Sequence, residues 1–116
     1  VTATAEEILM VCWALNEPED EDQVRELTSA IEGQSEIPGV LTIEHGPRTK
    51  RVDWEGPDNQ FDYAMVLTFD NFDSVRKYPP HPIHQHLVAT IQRLGSDIRG
   101  FWIDPVRSCP PIRSVF

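Results

Sequence analysis

The segment Tyr78-Pro79-Pro80-His81-Pro82-Ile83-His84 gathers the side chains best suited to proton chemistry. An imidazole titrates near neutrality and can take or give a proton at working pH. A tyrosine keeps its phenol proton there and can donate it to a developing enolate or oxyanion. A base and a phenol donor in one apolar pocket suit proton abstraction beside a carbonyl. His84 is the candidate base and Tyr78 the candidate donor. The plainer reading of the same pair is a core histidine bonded to a backbone carbonyl, beside a packing tyrosine. His81 precedes Pro82, at or just before a helix start, where it can brace the corner through the backbone or touch substrate. A metal is not expected, because His84 and His86 are two apart on a helix and face different ways. His45, at the end of one apolar run, and Glu7, at the start of another, are further candidates for substrate contact. Trp54 stands alone in a polar stretch and is a candidate lid anchor.

The elements that position these residues follow from pattern. Residues 8–15 are apolar at nearly every place, which fits a strand covered on both faces. Asp20 with Gln23 three residues on reads as a helix cap. Val24, Leu27 and Ile31 then recur at helical spacing, and Gly33 fits a stop. Residues 40–45 form a second strand after the Ile37-Pro38-Gly39 turn. Residues 48–60 are a long polar connection, and 61–69 form a third strand rich in aromatic and β-branched residues. Asp70 or Asn71 caps a short helix that Pro79-Pro80 stops. Pro82 opens the next helix, on which His84, Leu87, Val88, Ile91 and Leu94 make one stripe. A fourth strand spans 99–103, with Phe101 and Trp102 on opposite faces, and a Pro-rich tail follows over 105–116.

The order strand, helix, strand, strand, helix pair, strand predicts an α+β, ferredoxin-like sandwich with a four-stranded antiparallel sheet and helices on one face. A pocket is expected between sheet and helices, lined by some of Met10, Met65, Leu67, Phe69, Phe72, Leu87, Val88 and Ile91. Large apolar residues of both parities in the strands would leave the other sheet face bare. A second copy packing sheet to sheet would cover it, so a two-fold homodimer is predicted.

The chain has 116 residues, enough for one domain, here 1–104. Lys plus Arg number 10 and Asp plus Glu 19, a formal charge of −9. That balance argues against nucleic acid or an anionic membrane as partner. It also disfavours an anionic thioester carrier and favours a neutral substrate. No apolar run approaches the roughly 20 residues of a membrane span. Two cysteines, Cys12 and Cys109, make no disulfide framework. No secretory pattern opens the chain, and a cytoplasmic setting is expected. Phosphate-loop, nucleophile-elbow and zinc patterns do not occur.

Ile37-Pro38-Gly39-Val40, Gly46, the run from Phe61 to Phe72, and above all Tyr78-x-x-His81-Pro82-x-His84 resemble the stress-responsive dimeric α/β-barrel (Dabb) family. The resemblance covers about residues 6–104. It implies a ferredoxin-like subunit whose dimer forms a barrel. It also implies a cofactor-free cyclase or lyase of the olivetolic acid cyclase type, acting on a polyketide-like or aromatic keto substrate, with Tyr78 and His84 as the catalytic pair. Cofactor-free monooxygenases share the barrel architecture, and a non-catalytic ligand-binding dimer is the third reading. The sequence departs from the family at Glu7, where a histidine is usual. Tyr63 stands where the plant cyclase has a second pocket histidine, and His45 falls near an aromatic position. The expected substrate contacts are therefore His81, His45, Tyr63, Glu7, Met65, Phe72, Leu87 and Val88.

Overall fold

The structure is a computed structural model and describes residues 5–106. The tail from 107 on, with its Val115-Phe116 end expected as an apolar plug, lies outside the described residues. The chain forms strand β1 (Glu7–Leu15), helix α1 (Glu21–Glu32), a 3-10 turn (Gly33–Glu36), β2 (Val40–Pro47), β3 (Tyr63–Phe69), α2 (Phe72–Lys77), α3 (Pro82–Leu94) and β4 (Gly95–Ile103). The four strands make one antiparallel sheet in the order β2-β3-β1-β4. This is the predicted ferredoxin-like arrangement.

Local chemistry sets each boundary. Asp20 Oδ1 accepts from the N–H groups of Asp22 at 3.0 Å and Gln23 at 3.1 Å, and acidic Glu21 and Asp22 suit the helix dipole. Gly33 does not stop the chain in a left-handed turn. Its φ is −58°, and the helix tightens into the 3-10 turn instead. Gln34 holds that turn, its Nε2 donating to the Ala30 carbonyl at 3.0 Å. The fourth strand starts four residues earlier than predicted, directly after α3. A β-carbon at Gly95 would lie 2.2 Å from the Ala14 carbonyl oxygen, so only glycine lets the helix end meet β1 there. Asp97 has φ +54°, where the β1–β4 register shifts between Cys12 and Ala14. The predicted strand began only at Arg99, past that irregularity.

Alternation sorts the side chains. Leu9, Val11 and Trp13 of β1 share the helix-facing side with Tyr63, Met65, Leu67 and Phe69 of β3. Leu27, Ile31, Leu87, Ile91 and Leu94 close the core from above. The opposite side carries Ile8, Met10 and Cys12, Val66 from β3, and Phe101 and Ile103 from β4. Met10, Phe101 and Ile103 are exposed there at 41%, 55% and 39%. Met10 was expected in the pocket; its parity puts it on the outer face.

Candidate functional site

The proline corner between α2 and α3 builds the site. Asn71 Oδ1 caps α2, accepting from Ser74 N–H at 2.9 Å. Tyr78 ends that helix and is 1% exposed. The two prolines then block continuation, and His81 caps α3 with its side chain, Nδ1 accepting from Ile83 N–H at 3.1 Å. Pro82 occupies the first helical position, where no N–H is needed. His84 follows within the first turn. Its Nδ1 lies 2.9 Å from the Pro79 carbonyl oxygen, which also accepts from Gln85 Nε2 at 2.6 Å. A carbonyl can only accept, so Nδ1 carries a proton. In the neutral ring Nε2 then holds the free lone pair. Nε2 has no protein partner among the described residues.

The rings of Tyr78 and His84 pack with centroids 4.2 Å apart. The Tyr78 hydroxyl donates to Gln34 Oε1 at 2.9 Å, and Gln34 Nε2 donates to the Ile83 carbonyl at 3.1 Å as well as to Ala30. Gln34 itself is fully buried. Burial pushes the Tyr78 phenol pKa well above the usual tyrosine range. The phenol proton is thus engaged within the helix layer, and the expected oxyanion donor reaches substrate only by leaving Gln34.

Tyr78 and His84 border a cavity of about 260 Å³ between sheet and helices. Leu9, Val11 and Met65 supply its floor, Leu87, Val88 and Ile91 its roof, and Ile98, Gly100 and Trp102 its β4 side. Met65, Leu87 and Val88 lie where they were expected. Other expected contacts lie elsewhere. Phe72 is 59% exposed, because α2 is short and turns Val75 to the core instead. His81 spends Nδ1 on the helix cap. His45 sits under the end of α1, with Nδ1 at 2.7 Å from the Tyr63 hydroxyl and Nε2 at 3.4 Å from Glu32 Oε1. Tyr63 packs on Trp13 with ring centroids 5.7 Å apart, and its burial raises the phenol pKa. Glu7 pairs with Asp104, whose hydrogen bond raises the Glu7 pKa above the usual carboxylate value. Trp54 is 71% exposed and borders a separate depression with Arg48, Val52 and Phe61.

Sequence reasoning missed Gln34, Trp102 and Ile98. Gln34 could not be tied to the site locally, since its bonds to Tyr78 and Ile83 span 44 and 49 residues. Trp102 could be found only from the pairing of Leu9 with Trp102 across β1 and β4.

Comparison with known proteins now bears on this arrangement. A family model for the stress responsive A/B barrel domain (Dabb) matches residues 10–101. The chain belongs to that family. No curated protein matches. Solved structures share the fold. A dimeric ferredoxin-like protein of unknown function from Thermobifida fusca is 21% identical, with a TM-score of 0.69, over 90% of this chain and 96% of its own. A Dabb family protein from Mesorhizobium loti is 16% identical, with a TM-score of 0.67, over 90% and 100%. A hydroxynitrile lyase from Passiflora edulis is 13% identical, with a TM-score of 0.70, over 90% and 98%. Among the described residues, no helix is long and apolar enough to cross a membrane.

Proposed function

We propose that this chain is a lyase or cyclase that needs no cofactor and uses His84 as its acid–base group on a carbonyl compound. The observation that carries the reading is the fixed tautomer of His84: Nδ1–H is spent on Pro79, and Nε2 is left unpaired in a ring that borders an apolar cavity. A neutral Nε2 takes a proton from a carbon beside a carbonyl, and the resulting enolate attacks a second carbonyl to form a carbon–carbon bond. The protonated ring then returns its proton to the new alkoxide. Run backwards, Nε2 takes the hydroxyl proton, the carbon–carbon bond breaks to a carbonyl, and the ring protonates the departing carbanion. The lyase among the fold relatives is in keeping with the second direction. Tyr78 holds the His84 ring by packing on it and keeps the wall dry, with its own proton lodged on Gln34.

The working unit we propose is a two-fold homodimer joined through Met10, Phe101 and Ile103 on the outer sheet face. Relatives described as dimeric support it. The functional test is release of aromatic aldehyde from aromatic β-hydroxy ketones and cyanohydrins, followed by absorbance. The wild type should release it at a rate that His84→Ala lowers about 10²–10⁴-fold, the usual contribution of a general acid–base group. Equal rates in both proteins would remove His84 from the reaction.

A further inference from the structure

We infer that the cavity at His84 takes a small, uncharged, aromatic molecule carrying a single hydroxyl or carbonyl group; this rests on reading that cavity as the binding site. Size comes first. About 260 Å³ holds roughly nine waters at liquid density, which admits one or two fused rings.

Polarity comes second. Most lining residues have apolar side chains: Leu9, Val11, Met65 and Ile98 are typical of them. The polar atoms at the inner end are nearly all engaged. Tyr78 donates to Gln34, His84 Nδ1 donates to Pro79, and the Pro79 oxygen already accepts twice. At this inner end His84 Nε2 is left without a partner among the described residues, and the Trp102 indole N–H, on the β4 side, has none either. A ligand with one polar group can satisfy Nε2, and a second polar group buried at that end would go unpaired.

Ring geometry comes third. Trp102, Phe69, Tyr78 and His84 form a continuous series, with successive centroids 5.4, 5.0 and 4.2 Å apart. Three of these rings border the cavity, so a flat aromatic ligand finds stacking and edge partners along it.

Charge comes last. No lysine or arginine lines the cavity among the described residues. Two residues before Leu9 on the same sheet side comes Glu7, and Asp104, just past the end of β4, is close enough to raise its pKa. An anionic ligand meets no countercharge inside and two carboxyl groups outside. A buried cation would find no carboxylate in the lining.

The test is a binding series on the wild-type protein at pH 8, with 2-naphthol, 2-naphthoate, 2-naphthylmethylammonium and decahydro-2-naphthol, read by calorimetry and by the NMR resonances of the His84 ring. 2-Naphthol should bind and shift the His84 signals. The two charged probes should bind at least tenfold more weakly, and the saturated alcohol several-fold more weakly. The ranking uses the native protein, so it survives any variant that fails to fold. Naphthoate or the ammonium probe binding as well as 2-naphthol overturns the inference, and so does absence of binding by every probe. If the ranking holds and no turnover is ever seen, the ligand class stands and the catalytic reading alone fails.

Discussion

Replacing Gln34 with leucine tests the inner support of the site. Gln34 is 0% and Tyr78 1% exposed, so no bulk water can take over the lost bond. The change leaves the Tyr78 O–H without its acceptor, and a buried unpaired donor costs about 1–3 kcal/mol. The Ala30 carbonyl, in the last turn of α1, also loses the Gln34 amide. The expected destabilisation of Gln34→Leu is therefore about 2–4 kcal/mol. Tyr78→Phe strands the Gln34 oxygen instead and should cost about 1–3 kcal/mol on the same grounds. In the double variant neither partner of the 2.9 Å bond remains to be stranded, so its cost should fall short of the sum by about 1–3 kcal/mol. Urea unfolding of the four proteins measures this. Costs that add to within about 0.5 kcal/mol would mean that Gln34 and Tyr78 are not coupled, since independent sites behave that way.

Other outcomes follow from the same structure. Phe101 is 55% exposed on the outer sheet face, so roughly 100 Å² of ring awaits cover in each copy. At about 25 cal/mol per Å², Phe101→Glu should remove about 5 kcal/mol from a dimer, and sedimentation should find monomer; an unchanged dimer would move the interface elsewhere. Glu7 binds its proton more tightly folded than unfolded, because Asp104 shares it. Stability from this pair is present below the unfolded value of 4.5 and is lost as pH rises through the raised folded value. The melting temperature of Glu7→Gln relative to wild type should therefore rise with pH across that window, and a flat difference would deny the pair. Gly39 has φ +94°, and a β-carbon there would lie 2.3 Å from Ser74 Cβ. Gly39→Ala should lower the melting temperature by several degrees, Ser74→Gly should restore only part of it, and full restoration would show that the backbone angle carries no strain.

The fold was legible because each element carries its own signal. Asp20, Asn71 and the Pro79-Pro80 pair mark helix ends by local chemistry, and the aliphatic stripe on α3 marks its buried side. A second apolar sheet face was legible from the two parities of the strands, but its membership was not: Met10, expected in the pocket, lies on it. The early start of β4 was hidden because Gly95-Ser96-Asp97 has turn composition, and its extended backbone depends on contact with Ala14. The site was half legible. Tyr78 and His84 are close in sequence, and the proline corner forces them together. The Tyr78 hydroxyl bond could not be read, because Gln34 lies 44 residues away on another element. Nor could parity alone separate Met65, which reaches the cavity, from Tyr63, which turns to His45. Glu7 occupied a pocket position by likeness of sequence, yet its side chain meets Asp104.

The most direct measurement is hydrogen–deuterium exchange at the carbon beside the carbonyl of 2-acetylnaphthalene in D₂O, with wild type and His84→Ala compared by NMR. It isolates proton abstraction, the one step assigned to Nε2, and needs no complete substrate. Exchange should exceed the buffer rate with the wild type, and the protein-dependent part should fall about 10²-fold or more with His84→Ala. Exchange at the same rate in both proteins, or no protein-dependent exchange while the ketone is bound, would contradict it.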